Sequence, residues 1–355
     1  MVGSAAYARS RARVARICDS AGDARALREQ LLEEIHRVIG FDAYAWLLTD
    51  PETSVGSAPL ADVPSTLLPQ LPRLIRLKYL TEVNRWTTLG LSVARLHDAT
   101  GGDLSRSRMW AELLCRYDIV DVASLVFRDR FGCWGFLDLW RAGAAKLFTE
   151  AEAAFLTSIL NGVTNALRRC HANTFVVAPV RDTRRPGPVV LLLSPELEVL
   201  GQTPETHEYL RVLVPPADGR APIPASAYNV AAQLLAVEAG VDGNQPSARV
   251  HLLGGLWLSL RAARIEDSAD SKDARIAVTI EETSSTERLS LFTRAFGLTA
   301  REIELLGHLA TGNDTREVAR RMYLSEHTVQ DHLKSIFLKT STRSRRALLS
   351  RALGT

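Results

Sequence analysis

Residues 24–39, ARALREQLLEEIHRVI, place Leu27, Leu31, Ile35 and Ile39 four apart, the spacing of one helix face. FDAYAWLLTDPET then alternates as a strand and stops at Asp50-Pro51. DVASLVFRD, a turn RFG, and CWGFLDLWR read as a β-hairpin, and LFTEAEAAFLTSILNGVTNALRR as a long helix. Thr149 caps that helix, with Glu152 in a capping box. PVVLLLSPELEVLGQTPETHEYLRVL reads as strand, turn, short strand and helix, Thr203 as cap and Pro204 in the first turn. VAAQLLAVEAG is a helix ended by Gly240. SARVHLLGGLWLSLRAARI and ARIAVTIEE supply three more strands, with EDSADSKD (266–273) as a hairpin loop.

From Leu298 the pattern changes to short helices. Thr299 with Glu302 and Asp314 with Glu317 read as capping boxes. Ile303, Leu306 and Ala310 continue the first helix, and Gly312 ends it. Ser325 caps a third helix reaching about Thr340, and Arg343-Ser344 precedes a fourth that ends near Gly354. On a wheel of about 100° per residue, Val329, Leu333 and Ile336 form a core stripe with Phe337 at its edge. His327, Asp331, Lys334 and Leu338 lie opposite, with Gln330 at the flank. A helix of this width fits the major groove. There Gln330 suits adenine and Lys334 guanine, Asp331 suits cytosine or caps or orients a neighbouring Arg or Lys, and the Arg343, Arg345, Arg346 cluster suits phosphates.

Charge sharpens this picture. The chain of 355 residues carries a net +3, but Leu298 to the end holds 10 basic and 6 acidic residues, so the positive excess sits in the last sixth. The length predicts two or three domains, and 46% apolar residues are ample for their cores. Cys18, Cys115, Cys133 and Cys170 make no CxxC pair and no metal spacing; reduced buried thiols are expected. His327 and His332 are five apart, which excludes a helical zinc pair, so no metal is expected. The Arg-rich start AYARSRARVARICD reads as a solvated amphipathic helix, with a basic arm on nucleic acid as the alternative. No apolar run is long enough for a signal peptide or membrane span, and a cytoplasmic location is expected. P-loop, GxSxG, HExxH and kinase signatures are all absent from the sequence, so no enzyme and no cofactor are expected.

The stretch LTAREIELLGHLATGNDTREVARRMYLSEHTVQDHLKSIFLKTSTRSRRALL resembles the LuxR/FixJ-type DNA-binding domain. The carrying elements are LTARE (298–302), the Gly312 turn, EVARR (317–321), SEHTVQDHLKSIF (325–337) and RSR (343–345). The resemblance implies that the third helix reads bases through Gln330, Asp331 and Lys334, with His327 beside them. It places Thr328, the Arg343–Arg346 region and Lys339 near phosphates, and gives the fourth helix to subunit pairing. Two departures stand out: Ser341-Thr342 replace the usual Gly-Val, and Leu338 replaces a polar residue. Leu338 could meet thymine methyls, a partner or the linker.

GFLDLW (135–140) followed by FTEAE (148–152) resembles a GAF domain, which implies a small-ligand or signal-sensing module. The strand order after residue 188 is similar to a PAS-like sensor. In the first block, Trp46, Trp86, Trp110, Trp134 and Trp140 hold five of the six tryptophans, as core or as a pocket lining. On CWGFLDLWR, strand alternation puts Trp134, Phe136, Asp138 and Trp140 on one face, where Asp138 pairs with a buried Arg or fixes a polar ligand.

The expected fold is α+β multidomain: GAF-like and PAS-like antiparallel-sheet sensor domains, then an all-α four-helix helix-turn-helix domain. The expected boundaries are a basic helix (1–22), the GAF-like domain (23–172), a linker (173–187), the PAS-like domain (188–283), a linker helix (284–297) and the DNA-binding domain (298–355). The expected function is a sequence-specific transcription regulator, an activator by the usual habit of the resembled family, sensing an unknown small molecule. Its expected partners are double-stranded DNA, RNA polymerase and a second copy of the chain. The rival is a ligand-binding regulator acting mainly through a protein partner, its DNA domain weakened.

Overall fold

The computed structural model describes residues 3–90, 93–144, 146–176, 189–206, 224–252, 256–265 and 275–354. The predicted loop 266–273, most of the predicted helix after Thr203 and most of the 173–187 linker lie outside these residues.

The chain opens with α1 (Ser4–Ser20) and α2 (Ala24–His36), the latter capped by Asp23, whose carboxylate accepts from the Arg25 and Ala26 N–H groups. α1 is amphipathic, as its spacing predicts: Val14 and Cys18 are buried, and Tyr7 stacks on Phe155 at 5.0 Å. It forms part of the first core rather than a free arm.

The first sheet holds β1 (Ala43–Thr49), β2 (Gly56–Asp62), β3 (Ala94–Arg95), β4 (Ile119–Asp129) and β5 (Gly132–Ala142). α3 (Leu71–Leu80) and the short helices α4 (Leu96–Ala99) and α5 (Arg108–Glu112) fill the β2–β4 connection. The strands are antiparallel in the order β2-β1-β5-β4-β3. α6 (Glu150–Asn173) follows, opened by the Thr149–Glu152 capping box that the sequence predicts. It buries Phe155, Ile159, Val163 and Leu167 against one face of this sheet.

A second sheet holds β6 (Val189–Leu193), β7 (Val199–Gln202), β8 (Ser247–His251), β9 (Trp257–Ile265) and β10 (Arg275–Glu282) in the order β7-β6-β10-β9-β8. Numbered within each sheet, both read 2-1-5-4-3. The topology repeats although the sequence has no fixed-period repeat, because strand alternation and turns specify the path without requiring identical residues. α7 (Ala225–Glu238) lies between the sheets and is apolar almost all round, as a helix covered on every side must be. It packs on β9 and β10 and also on α3 and β2, so one core runs from Tyr79, Trp86 and Phe136 to Leu258 and Val278.

The halves are tied at the β1–β2 turn. The Asp50 carboxylate is fully buried and accepts from Arg249 Nε at 2.6 Å and Nη2 at 2.7 Å. Glu52 accepts from Arg249 at 2.9 Å and from the Ser290 hydroxyl at 3.1 Å, reaching α8 (Ser285–Ala295). Phe175, just beyond α6, stacks on Trp257 of the second sheet and meets Phe292 of α8 edge-to-face.

The remaining helices are α9 (Ala300–Ala310), α10 (Thr315–Met322), α11 (Glu326–Thr340) and α12 (Arg345–Leu353). Thr299 and Glu302 form the predicted capping box. Asp314 does cap α10, but Glu317 does not reciprocate: its carboxylate takes Arg320 and Arg321 instead, the stronger charge-assisted partners. Gly312 adopts φ 86°, closing α9. Ile303 departs from its expected core position and is exposed, because Leu305, Leu306 and Leu309 fill the inward stripe.

Candidate nucleic-acid interface and ligand pocket

α11 is held by its predicted stripe: Val329, Leu333 and Ile336 are buried and Phe337 lies at the edge. Ser325 caps it, accepting from Thr328 N–H at 3.1 Å. It packs on α10 and α9, and among the described residues its outer face is exposed. That face carries His327, Gln330, Asp331 and Lys334, all exposed. Asp331 lies 3.1 Å from Lys334 Nζ and 3.6 Å from His327 Nδ1. The Lys334 hydrogen bond holds its carboxyl below the usual range. A charged Asp331 therefore orients Lys334 across one turn.

The predicted phosphate residues divide. Arg343 and Arg346 are exposed, and Thr328 is half-buried beside its cap. Arg345 is half-buried and donates to the Thr315 hydroxyl, tying α12 to the start of α10. Lys339 is engaged inside the domain: its Nζ lies 2.7 Å from the buried Glu302. Burial opposes the Glu302 charge, but Lys339, the Ser335 hydroxyl and the Thr299 N–H outweigh it and hold that carboxyl at about 2. Ser341 takes the left-handed conformation that glycine usually fills, φ 51° and ψ 38°. The following loop is anchored by Thr340 and Thr342, whose hydroxyls meet at 2.8 Å.

The aromatic cluster expected on β5 is split. Phe127 faces Gly135 and Arg128 faces Cys133, so Trp134 is an extra, bulged residue. The bulge reverses the alternation: Trp134 turns to the α6 side, against His171 at 5.4 Å, while Phe136, Asp138 and Trp140 face the other way. Those three line a cavity of about 410 Å³ between the first sheet, α3 and the start of α7. Leu47, Leu71, Leu74, Ile75 and Met109 supply its apolar wall, and Ala225 and Asn229 close it from α7.

Asp138 pairs with Lys78 rather than an arginine, at 2.6 Å, and accepts from the Ser124 hydroxyl at 2.7 Å. Both residues are buried. Lys78 retains donors beyond this bond, and the buried indole N–H of Trp140 has no partner. Lys78 and Asn229 escaped the sequence reading, since nothing local marks a lysine on an amphipathic helix or an asparagine on an apolar one as facing a cavity. Among the described residues no group of His, Cys, Asp or Glu is arranged to hold a metal, and the four cysteines are free.

A short helix with an open polar face, set on two antecedent helices by capped turns, defines a helix-turn-helix unit of the regulatory class. Residues 297–352 match the family described as bacterial regulatory proteins, luxR family, so the C-terminal unit is a luxR-family domain. The transcriptional regulatory protein LnrK of Bacillus subtilis (strain 168) is 42% identical over 48 residues, 14% of this chain and 22% of LnrK. The chain thus shares under a quarter of that relative's length. Over the longer chain, SdiA of Escherichia coli aligns with 97% of this chain and 96% of its own at 11% identity, TM-score 0.36. The VqmA–ligand–DNA complex of Vibrio cholera aligns with 48% of this chain and 85% of its own at 20% identity, TM-score 0.22. Both scores fall below the level at which two chains share one global arrangement. No helix among the described residues is long and apolar enough to cross a membrane.

Proposed function

We propose that this chain is a sequence-specific DNA-binding transcription regulator, acting as a homodimer, whose N-terminal layers sense a small molecule. The observation that carries the reading is the face of α11: His327, Gln330, Asp331 and Lys334 are exposed opposite a buried apolar stripe, and among the described residues no element covers that face. Gln330, Asp331 and Lys334 meet base edges, with His327 at the start of the helix. Arg343 and Arg346, with Thr328, meet phosphates, while Lys339 and Arg345 hold the domain together. Two copies place two α11 helices in half-sites about one helical turn apart. RNA polymerase is the downstream partner and activation the direction of control.

The signal site is the cavity under Phe136, Asp138 and Trp140. Its polar groups include donors, Lys78 Nζ and the Trp140 indole N–H, and an acceptor, the Oδ1 of Asn229, whose Nδ2 is taken by the Ala225 carbonyl; with apolar walls this suits a small, largely apolar molecule bearing one or two polar groups. α7 of the second half closes it, so occupancy would bear on how the two halves pack. The rival reading is action through a protein partner with a weakened DNA domain, and it rests on Leu338 and on Ser341, which takes the left-handed turn without being glycine.

The test is capture of genomic fragments with sequencing, wild type beside Lys334→Ala. A shared motif of two-fold symmetry, lost in the variant, is expected. Enrichment unaffected by Lys334→Ala would show that the assigned face is wrong.

A further inference from the structure

Leu338 is 82% exposed, the most exposed aliphatic side chain among the described residues; the next, Leu200, is 52%. Among the described residues no packing contact accounts for it. α12 packs on α8 and α9, away from it. The residues around it at the end of α11 are bound elsewhere: Lys339 to Glu302, Thr340 to Thr342, and Arg351 to the Thr340 carbonyl. On the helix wheel Leu338 falls among His327, Asp331 and Lys334, one turn beyond Lys334.

We propose that Leu338 reads DNA: it takes the C5-methyl group of a thymine next to the base pair met by Lys334. This rests on the DNA-binding reading above and names the chemistry at one of its positions. The argument is one of complementarity. A leucine cannot pair with a phosphate, and the floor of the major groove is donors and acceptors except at one place, the thymine methyl. Lys334 is drawn toward Asp331 at 3.1 Å, on the side of the helix start, so it does not screen Leu338 from the groove. A cationic residue here would add a sequence-independent phosphate contact; leucine adds discrimination between T·A and every other pair.

The experiment uses the full-length protein and the operator obtained by fragment capture. Each thymine of a half-site is replaced in turn by deoxyuridine, which removes the methyl group and keeps all hydrogen bonds. One position per half-site should weaken wild-type binding about fourfold, or about fifteenfold when both half-sites are changed, the value of a methylene-sized burial. Leu338→Ala should bind the thymine and deoxyuridine operators alike, with unchanged mass in sedimentation.

Wild type indifferent to deoxyuridine at every position would overturn the proposal and leave DNA binding standing. Leu338→Ala that falls apart to monomers and loses both operators equally would overturn it in favour of a subunit contact. Failure of the wild type to enrich any DNA would remove the DNA-binding reading and this inference with it.

Discussion

Arg249→Met tests the tie between the two halves. Asp50 is fully buried and receives two guanidinium hydrogen bonds, at 2.6 and 2.7 Å, besides backbone N–H bonds from Glu52, Thr53 and Arg249. Methionine keeps the aliphatic bulk and removes the charge. Each bond to a charged group contributes about 1.5–3 kcal/mol, so the gross loss is about 3–6 kcal/mol. The three backbone donors remain and soften the burial of an unpaired carboxylate, which brings the expected cost to about 3–5 kcal/mol at neutral pH. Burial raises the Asp50 pKa while Arg249 and the backbone donors more than offset it, so the native value lies below the ordinary one. Without Arg249 that balance tips upward. The deficit of the variant should therefore shrink as the pH is lowered, because its carboxyl protonates more readily than that of the wild type. The assay is urea unfolding followed by tryptophan fluorescence and far-UV circular dichroism, with Asp50→Asn and the double variant completing a cycle. The double variant should recover about 2 kcal/mol relative to additivity. A loss under about 1 kcal/mol, or single effects that simply add, would refute the claim that this pair bridges the halves.

His171 and His251 are held at about 4, chiefly by burial; Asp50 opposes the shift at His171, while Arg288 adds to it at His251. Because the folded values lie below the unfolded ones near 6.5, their neutral forms support the fold fully above about pH 6.5, and that support is lost as pH falls toward 4. The urea midpoint should drop between pH 7 and 5, and His171→Phe should flatten the slope. Lys339→Met should cost about 2 kcal/mol at pH 7 by stranding Glu302, and a thermal melt without a shift would place Lys339 on DNA instead. Ser341→Gly should stabilise by up to about 1 kcal/mol, since φ 51° strains any residue with a Cβ; a lower melting temperature would contradict this. Arg346→Ala should lower the slope of log affinity against log salt by about 0.9 for any DNA sequence, whereas Lys334→Ala should act on one base pair.

What the sequence determined by itself is the set of features governed by contacts a few residues apart. The caps at Thr149, Thr299, Ser325 and Ser344 are satisfied within three residues, so they are legible wherever the chain is read. The core stripe of α11 and its polar face follow from the helical period alone, and the hairpin of β4 and β5 from strand alternation on either side of a short turn. The luxR-family unit was recognisable for the same reason: it is short, helical and built of local signals.

Tertiary structure decided the rest. Arg249 and Asp50 are 199 residues apart, and Lys78 and Asp138 are 60 apart, so no window of sequence contains either pair. The bulge at Trp134 arises from the pairing of β4 with β5, and one extra residue is enough to send every later side chain to the opposite face. That is why the expected aromatic row came apart and why the cavity took Phe136, Asp138 and Trp140 without Trp134. Lys339 reads as a phosphate ligand on its own helix and becomes a structural cation only because α9 brings Glu302 beneath it. A charge belongs to whatever the fold sets beside it, and that neighbour is rarely near in sequence.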